Sequence, residues 1–491
     1  MIRKLPAMLA LTSLAGCSLA PPYRRPAPPV PPSWPVGDAY LRTREAVLPT
    51  VRYGDIFRDP RLQVIIGQAI ANNRDLRIAA ANIAVARGQY RIQRAELLPE
   101  VDASAGYTYR DSGTGGTTTG GITGGAATGG GGRSAFSADI GITSFEVDLF
   151  GRIRSLTTAA QDRYFATEAA ARTVRLTLIG DIADAWLTYA ADRSLMRVAE
   201  QTAASAQRSV TLTRKRLDGG IAPRTDLRQA ELTLDTARIN IAEQRTALAQ
   251  DVNALQLLVG APVDPALLPS SIDEAGATLA ELPAGLDSSV LLRRPDVVEA
   301  EYSLRAANAE IGAARAELFP RISLTGLIGL ASSALTGLFS GGAFNYSAGG
   351  TIGYPIFRAG AGRANVDVTR AQRELATATY ERAIQTAFRE VSDALARRGT
   401  ITDQLAATRA FRDAAADNFR LADLRYRGGV TSFLESLDAQ RSLYAAERTL
   451  ITTQLTRAGN LVTLYRTLGG DSLVEATPTG PVPAKTPDPG Q

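Results

Sequence analysis

Two stretches of the chain, Gly151 to Leu217 and Ala361 to Arg427, each run for 67 residues without a proline. As single helices they would be about 100 Å long at 1.5 Å per residue. No globular core is that deep, so these rods must find neighbours along their length. The stretches that follow them carry seven-residue stripes. In the first the stripe is Leu227, Leu234, Ile241, Leu248 and Leu255; in the second it is Ser436, Leu443, Leu450, Arg457 and Leu464, with Leu437, Tyr444, Ile451, Ala458 and Tyr465 alongside. A heptad repeat predicts coiled-coil packing, and apolar residues on adjoining stripes predict neighbours on two sides, as in the wall of a tube. The abundant alanine on these helices permits close approach, and it is equally the best helix former.

Each rod ends in a Gly-Gly turn. Tyr426-Arg427-Gly428-Gly429-Val430-Thr431-Ser432 follows the second rod, and Leu217-Asp218-Gly219-Gly220-Ile221-Ala222-Pro223 follows the first, 209 residues earlier. Glycine allows the positive φ of a tight reversal, Thr431 or Ser432 can cap the next helix, and Pro223 suits a first helical turn. Thr225 or Asp226 suits the positive end of a helix. Both turns therefore read as tips of helical hairpins. Ala95-Glu96-Leu97-Leu98-Pro99 also recurs as Ala316-Glu317-Leu318-Phe319-Pro320. Two halves of roughly 200 residues are too long for a solenoid repeat, so the reading is an internal duplication with pseudo-twofold symmetry.

Before each rod the hydrophobic period changes from helical to two. Val101, Ala103, Ala105, Tyr107 and Tyr109 alternate with Asp102, Ser104, Gly106, Thr108 and Arg110; Phe136, Ala138, Ile140 and Ile142 alternate with Ser137, Asp139, Gly141 and Thr143. In the second half, Ile322, Leu324, Gly326, Ile328 and Leu330 form one face and Phe344, Tyr346, Ala348, Gly350, Ile352 and Tyr354 another. Four strands of about ten residues are predicted, the length that crosses a bilayer when tilted. A Gly/Thr-rich run from Ser112 to Gly132 and residues 331–343 read as surface loops. Four strands cannot close a barrel, and open edges are not tolerated in lipid. Two copies would supply eight strands and a filled bore; three would supply twelve and a channel. The competing reading of the alternation is a soluble two-layer sheet with one wet face.

The chain opens Met1-Ile2-Arg3-Lys4, continues apolar to Leu14 and reaches Leu14-Ala15-Gly16-Cys17, the only cysteine of 491 residues. This has the form of a secretion signal rather than a membrane span. Lys and Arg exceed Asp and Glu, 54 against 49, and the charges are interspersed with no nucleic-acid stripe. Histidine is absent, which removes the usual triads, cysteine–histidine dyads and zinc sites. With no Walker loop and no GxSxG, an enzyme is not expected, and neither a cofactor nor a metal.

The chain resembles the TolC-type outer membrane factors, in the lipoprotein subfamily of OprM-like and NodT-like efflux proteins. The resemblance rests on Tyr426-Arg427-Gly428-Gly429-Val430, Leu437-Asp438-Ala439-Gln440-Arg441-Ser442-Leu443, Phe388-Arg389-Glu390-Val391-Ser392-Asp393-Ala394-Leu395 and the leader ending at Cys17. It implies a mainly α protein with membrane β: a trimeric 12-stranded β-barrel, four strands per protomer, continued by a long α-helical coiled-coil barrel across the periplasm. Residues 1–16 would be the lipoprotein signal peptide and 17–60 an acylated Pro-rich segment, with Cys17 carrying lipid such as palmitate. Residues 61–260 would form the first repeat, with a β-hairpin at about 101–148 and its tip at 217–223. After a connector at 261–292, residues 293–469 would form the second, with a β-hairpin at about 321–355 and its tip at 426–431. Residues 470–491 would be a disordered tail.

By the same resemblance the periplasmic gate maps to Leu434, Glu435, Asp438 and Arg441, and the links between hairpins to Asp226 and Tyr426. The basic gate partner of TolC is replaced by Thr431, for which Arg441 or Arg224 are the substitutes in reach. Independently of the resemblance, Leu434 and Asp438 are four apart and share a helix face; threefold symmetry would make each a ring. Gly219, Gly220, Ile221, Gly428, Gly429 and Val430 would meet a periplasmic adaptor, itself coupled to an inner-membrane pump. The expected function is a passive exit duct for small solutes, anchored in and spanning the bacterial outer membrane. Rival readings are a coiled-coil adaptor or scaffold lipoprotein, and a lipoprotein enzyme.

Overall fold

The computed structural model describes residues 18–35, 37, 39–40, 52–110, 133–281, 288–470, 474–477 and 480–483. The leader, Cys17 and the Gly/Thr-rich run 112–132 lie outside the described residues. In chain order the elements are α1 (Tyr53–Ile56), α2 (Pro60–Asn72), α3 (Arg74–Ala95), β1 (Asp102–Arg110), β2 (Arg133–Glu146), α4 (Arg152–Asp218), α5 (Arg224–Val259), α6 (Ile272–Ala277), α7 (Pro295–Ala316), β3 (Arg321–Ser332), β4 (Phe344–Gly353), α8 (Ala361–Arg427), α9 (Phe433–Thr467), β5 (Val474–Thr477) and β6 (Gly480–Pro483). The chain divides into two compact units. One holds residues up to 23, 84–164 and 302–377; the other holds 24–83, 165–301 and 378–491.

The first unit contains a four-stranded antiparallel sheet in the order β1-β2-β3-β4. Register sets Ala103, Ile140, Ile328 and Tyr346 side by side, then Ala105, Ala138, Leu330 and Phe344, so the alternating apolar residues of all four strands share one face. That face is bare: Ile140, Ile328, Phe344, Tyr346 and Ile352 are each more than half exposed. Strands β1 and β4 are both edges. A bulge between Ile142 and Phe145 shifts the β2–β3 register, and just before it a Cβ on Gly141 would collide with the Gly326 carbonyl, so the two backbones meet where only glycine fits. No helix among the described residues is long and apolar enough to cross a membrane.

The same unit holds the start of the described chain by its carbonyls. Arg315 Nη1 donates to Leu19 O (3.0 Å) and Asn308 Nδ2 to Pro21 O (2.8 Å). Gly312 leaves room for this, since a Cβ there would lie 2.8 Å from the Ala20 backbone nitrogen. The guanidinium of Arg305 lies over the Tyr23 ring and pairs with the buried Asp162 (3.3 Å).

In the second unit the extended segment continues. Eight of the eighteen residues from Ser18 to Pro35 are proline, so the segment has few amide donors and cannot build a ladder. It is held by side chains instead. Arg25 makes a two-pronged pair with Glu301 (both 2.8 Å), and both side chains are buried. Ser288 donates from Oγ to Pro31 O and from its backbone to Pro32 O, and Trp34 packs on Phe388 at 4.7 Å between ring centroids. Gly399 permits close approach, since a Cβ there would strike the Ala39 carbonyl. Part of the Phe388–Leu395 motif thus has a structural use: Phe388 seats the N-terminal segment, and Glu390 pairs with Arg294 (2.9 Å), whose buried guanidinium also holds Asp296 and Thr467 O.

Several expectations need correction. The helical stretch that opens the first repeat is two helices, α2 and α3, because Asn73 interrupts it. Its backbone is extended, its Oδ1 accepts from Leu76 N (3.0 Å) and its Nδ2 donates to Leu258 O (2.7 Å). The connector after residue 260 contains a helical turn, α6, capped by Ser271 Oγ. Residues 331–343 are shorter as a loop than expected, since β3 runs to Ser332. The tail expected to be disordered from 470 to 491 contains two paired strands, β5 and β6, and Thr477 donates from Oγ1 to Gly480 O (2.6 Å). Proline at positions 481 and 483 fits an edge strand, where a missing donor harms no ladder.

Candidate gate at the hairpin tips

Both tips end their helix in the same hydrogen-bonded loop. Ile221 N donates to Arg216 O (2.8 Å) and Gly220 N to Leu217 O (2.9 Å); in the other tip Val430 N donates to Arg425 O (2.9 Å) and Gly429 N to Tyr426 O (3.0 Å). The second glycine of each pair is left-handed, with φ of +70° at Gly220 and +75° at Gly429. This is the helix stop that glycine favours. Pro223 lies one residue before α5, as its N-cap, rather than in its first turn, and Ser432 takes the N-cap of α9 without a side-chain bond. Ile221 and Val430 project into solvent, 79% and 70% exposed.

Behind the tips lies a small core of Ala206, Val210, Leu227, Ala230, Leu234, Tyr426, Phe433 and Leu437. Two residues of the first-hairpin stripe, Leu227 and Leu234, are in it. Tyr426 joins the hairpins: its hydroxyl bonds Thr213 Oγ1 (2.9 Å), the Arg216 guanidinium lies 4.6 Å from its ring centroid, and Arg216 Nη2 donates to Arg427 O (3.1 Å). Asp226, the other residue assigned to such a link, makes no comparable contact among the described residues. It is half-buried in the first turn of α5, a favourable place for a carboxylate.

Leu434, Glu435, Asp438 and Arg441 lie on the outward face of α9, and all four are exposed, while Phe433, Leu437 and Gln440 face inward. Glu435 pairs with Arg425 across its own hairpin (3.1 Å). Asp438 and Arg441 make no ion pair or hydrogen bond among the described residues. Thr431 Oγ1 is buried without a partner. Sequence reasoning did not single out Thr213, Arg216 or Arg425. A signal was present, since Arg216 and Arg425 occupy the same place in the two tips, 209 residues apart.

Residues 65–261 and 286–470 match the outer membrane efflux protein family. The chain belongs to that family. Among its relatives in the family are the probable efflux pump outer membrane protein TtgC of Pseudomonas putida, 42% identical over 94% of each chain, and the solvent efflux pump outer membrane protein SrpC of the same species, 43% identical over 94% of this chain and 97% of the relative. The open-state MtrE outer membrane channel of Neisseria gonorrhoeae superposes with a TM-score of 0.80 at 34% identity, covering 93% of this chain and 98% of that one. As an outer membrane efflux protein the chain has a transport role and no catalytic one, and the adaptor and enzyme readings fall away.

Proposed function

We propose that three copies of this outer membrane efflux protein assemble into one exit duct, a 12-stranded barrel in the membrane continued by a helical barrel through the periplasm. The carrying observation is the sheet: four bilayer-length strands with an exposed apolar face and unpaired edges at β1 and β4. Such a sheet is stable in lipid only when β4 of one copy pairs with β1 of the next. The helices support the same reading. Ile78, Val85 and Ile92 on α3, and Leu232 and Ile239 on α5, are exposed at seven-residue spacing, stripes that a neighbouring helix would cover. Three copies rather than two leave a bore wide enough for solutes.

In this reading the two halves are an internal duplication, residues 61–260 and 293–469, and Cys17 carries the lipid anchor. The tips at 217–223 and 426–431 meet a periplasmic adaptor that connects the duct to an inner-membrane pump. The outward face of α9 is the gate: Leu434 narrows it, Asp438 repels anions, and the Glu435–Arg425 and Tyr426–Thr213 contacts hold the tips together. Arg441 stands one turn from Asp438 and takes the place of the basic partner that Thr431 lacks.

Planar-bilayer recording of wild type and Asp438→Ala tests the gate. The expected result is higher conductance and weaker cation preference in the variant, because a ring of carboxylates at a narrow point attracts cations. Unchanged conductance together with unchanged selectivity would remove Asp438 from the gate.

A further inference from the structure

The sheet has a second face to which no role has yet been given. Register sets Ser104, Asp139, Gly329 and Asn345 side by side on it, one from each strand, and Asp102, Gly141, Leu327 and Ser347 in the adjacent row. Asp139 is half-buried, and its carboxylate fills the space that a side chain at position 329 would need: a Cβ on Gly329 would collide with Asp139 Oδ1 and lie 2.7 Å from Ala138 O. Asp102 accepts from Thr143 Oγ1 (3.1 Å). Neither carboxylate has a Lys or Arg partner among the described residues.

An unpaired carboxylate on a membrane strand is tolerated where water reaches it, which makes this the wet face. The basic groups on it are distant or already matched. Arg110 and Arg133 stand opposite each other at the far end of β1 and β2. Arg133 is six residues from Asp139, about 20 Å along the strand and more than twice the screening length of about 8 Å at physiological salt. Near the helices, Arg152 pairs with Glu146 and Arg321 with Glu317. The negative field at the Asp139 row is therefore not cancelled by a neighbour.

We propose that Asp139, seconded by Asp102, is a charge-selecting residue of the membrane barrel, which favours cationic and neutral solutes over anionic ones independently of the tips. This rests on the trimeric duct: three copies turn the Ser104–Asp139–Gly329–Asn345 row into a ring of carboxylates and small polar groups around the bore. Low-dielectric walls concentrate such a field, and charged rings of this kind set the ion preference of pores.

The test uses the full-length protein in planar bilayers on an Asp438→Ala background, so that the tips do not dominate. The potassium-to-chloride permeability ratio is taken from the reversal potential in a KCl gradient. Asp139→Asn is expected to lower that ratio about twofold or more while conductance persists. Asp139→Cys is expected to react with a cationic, water-soluble methanethiosulfonate and change conductance in steps, with the parent protein unaffected. An unaltered ratio in Asp139→Asn, or a thiol at 139 that the reagent cannot reach, would overturn the assignment. Absence of conductance in every variant, wild type included, would instead bring down the duct reading beneath it.

Discussion

Glu301→Ala is expected to destabilise the folded chain by about 3–5 kcal/mol, because it removes the two-pronged carboxylate partner of a buried guanidinium. The Glu301 side chain is out of contact with water, that of Arg25 is 9% exposed, and they meet through two hydrogen bonds of 2.8 Å. The pair also pins the middle of a segment that is otherwise held at its carbonyls and by Trp34, since its prolines offer few donors. Loosening should therefore appear first in that segment. Trypsin should cut after Arg24 in the detergent-solubilised variant at protease levels that leave wild type intact, and the melting temperature should fall. Arg25→Met combined with Glu301→Leu should recover much of the loss, as apolar replacements of buried ion pairs commonly do. Resistance of Arg24 to trypsin in Glu301→Ala would mean that the proline carbonyl contacts suffice without the ion pair.

Asp251→Asn should stabilise the chain at alkaline pH and leave it nearly unchanged at pH 4. Asp251 on α5 and Asp192 on α4 lie within reach of each other, and burial disfavours the ionised form of both. Burial, then the charge of Asp192, pushes Asp251 up to about 7; burial pushes Asp192 up as well. A carboxyl raised on folding favours the folded state's protonated form, so its penalty is absent at low pH and grows from the ordinary carboxylate range to about pH 7. The full shift corresponds to about 4 kcal/mol. Both groups are half exposed, and screening by water reduces this to about 1–2 kcal/mol. Thermal unfolding at pH 4 and pH 8 checks the sign. A variant no more stable than wild type at pH 8 would show that the two carboxylates are relieved by solvent.

The rods, the strands and the tips were legible because each has a period or a punctuation mark. Gly220 and Gly429 adopt the left-handed turn their pairs foretold, and the apolar faces read from alternation coincide across all four strands. Asn73 was not legible, because helical periodicity continues on both sides of it and its side chain makes the break by bonding Leu258, 185 residues away. Arg25 and Glu301 are 276 residues apart, and nothing in local spacing joins them. The meeting of Asp192 with Asp251 was not legible either, since helix position says nothing of what a second helix sets opposite. At the candidate gate, the shared face of Leu434 and Asp438 followed from their spacing, whereas the hold on Tyr426 by Thr213 and Arg216 required the two hairpins to be placed side by side. For Asp226, its position at a helix start is explained by that helix alone, so its sequence position carries no signal of a link to the other hairpin.

The proline-rich strap is also chemically one-sided. Apart from the Arg25 side chain, it accepts hydrogen bonds through carbonyls where it is pinned, and with proline at eight of eighteen places it has few amide hydrogens to return. A partially folded sheet with bare borders recruits any extended peptide nearby that can both give and take such bonds. This segment is extended yet unfit for that exchange, so its own composition keeps it from capping a bare strand edge.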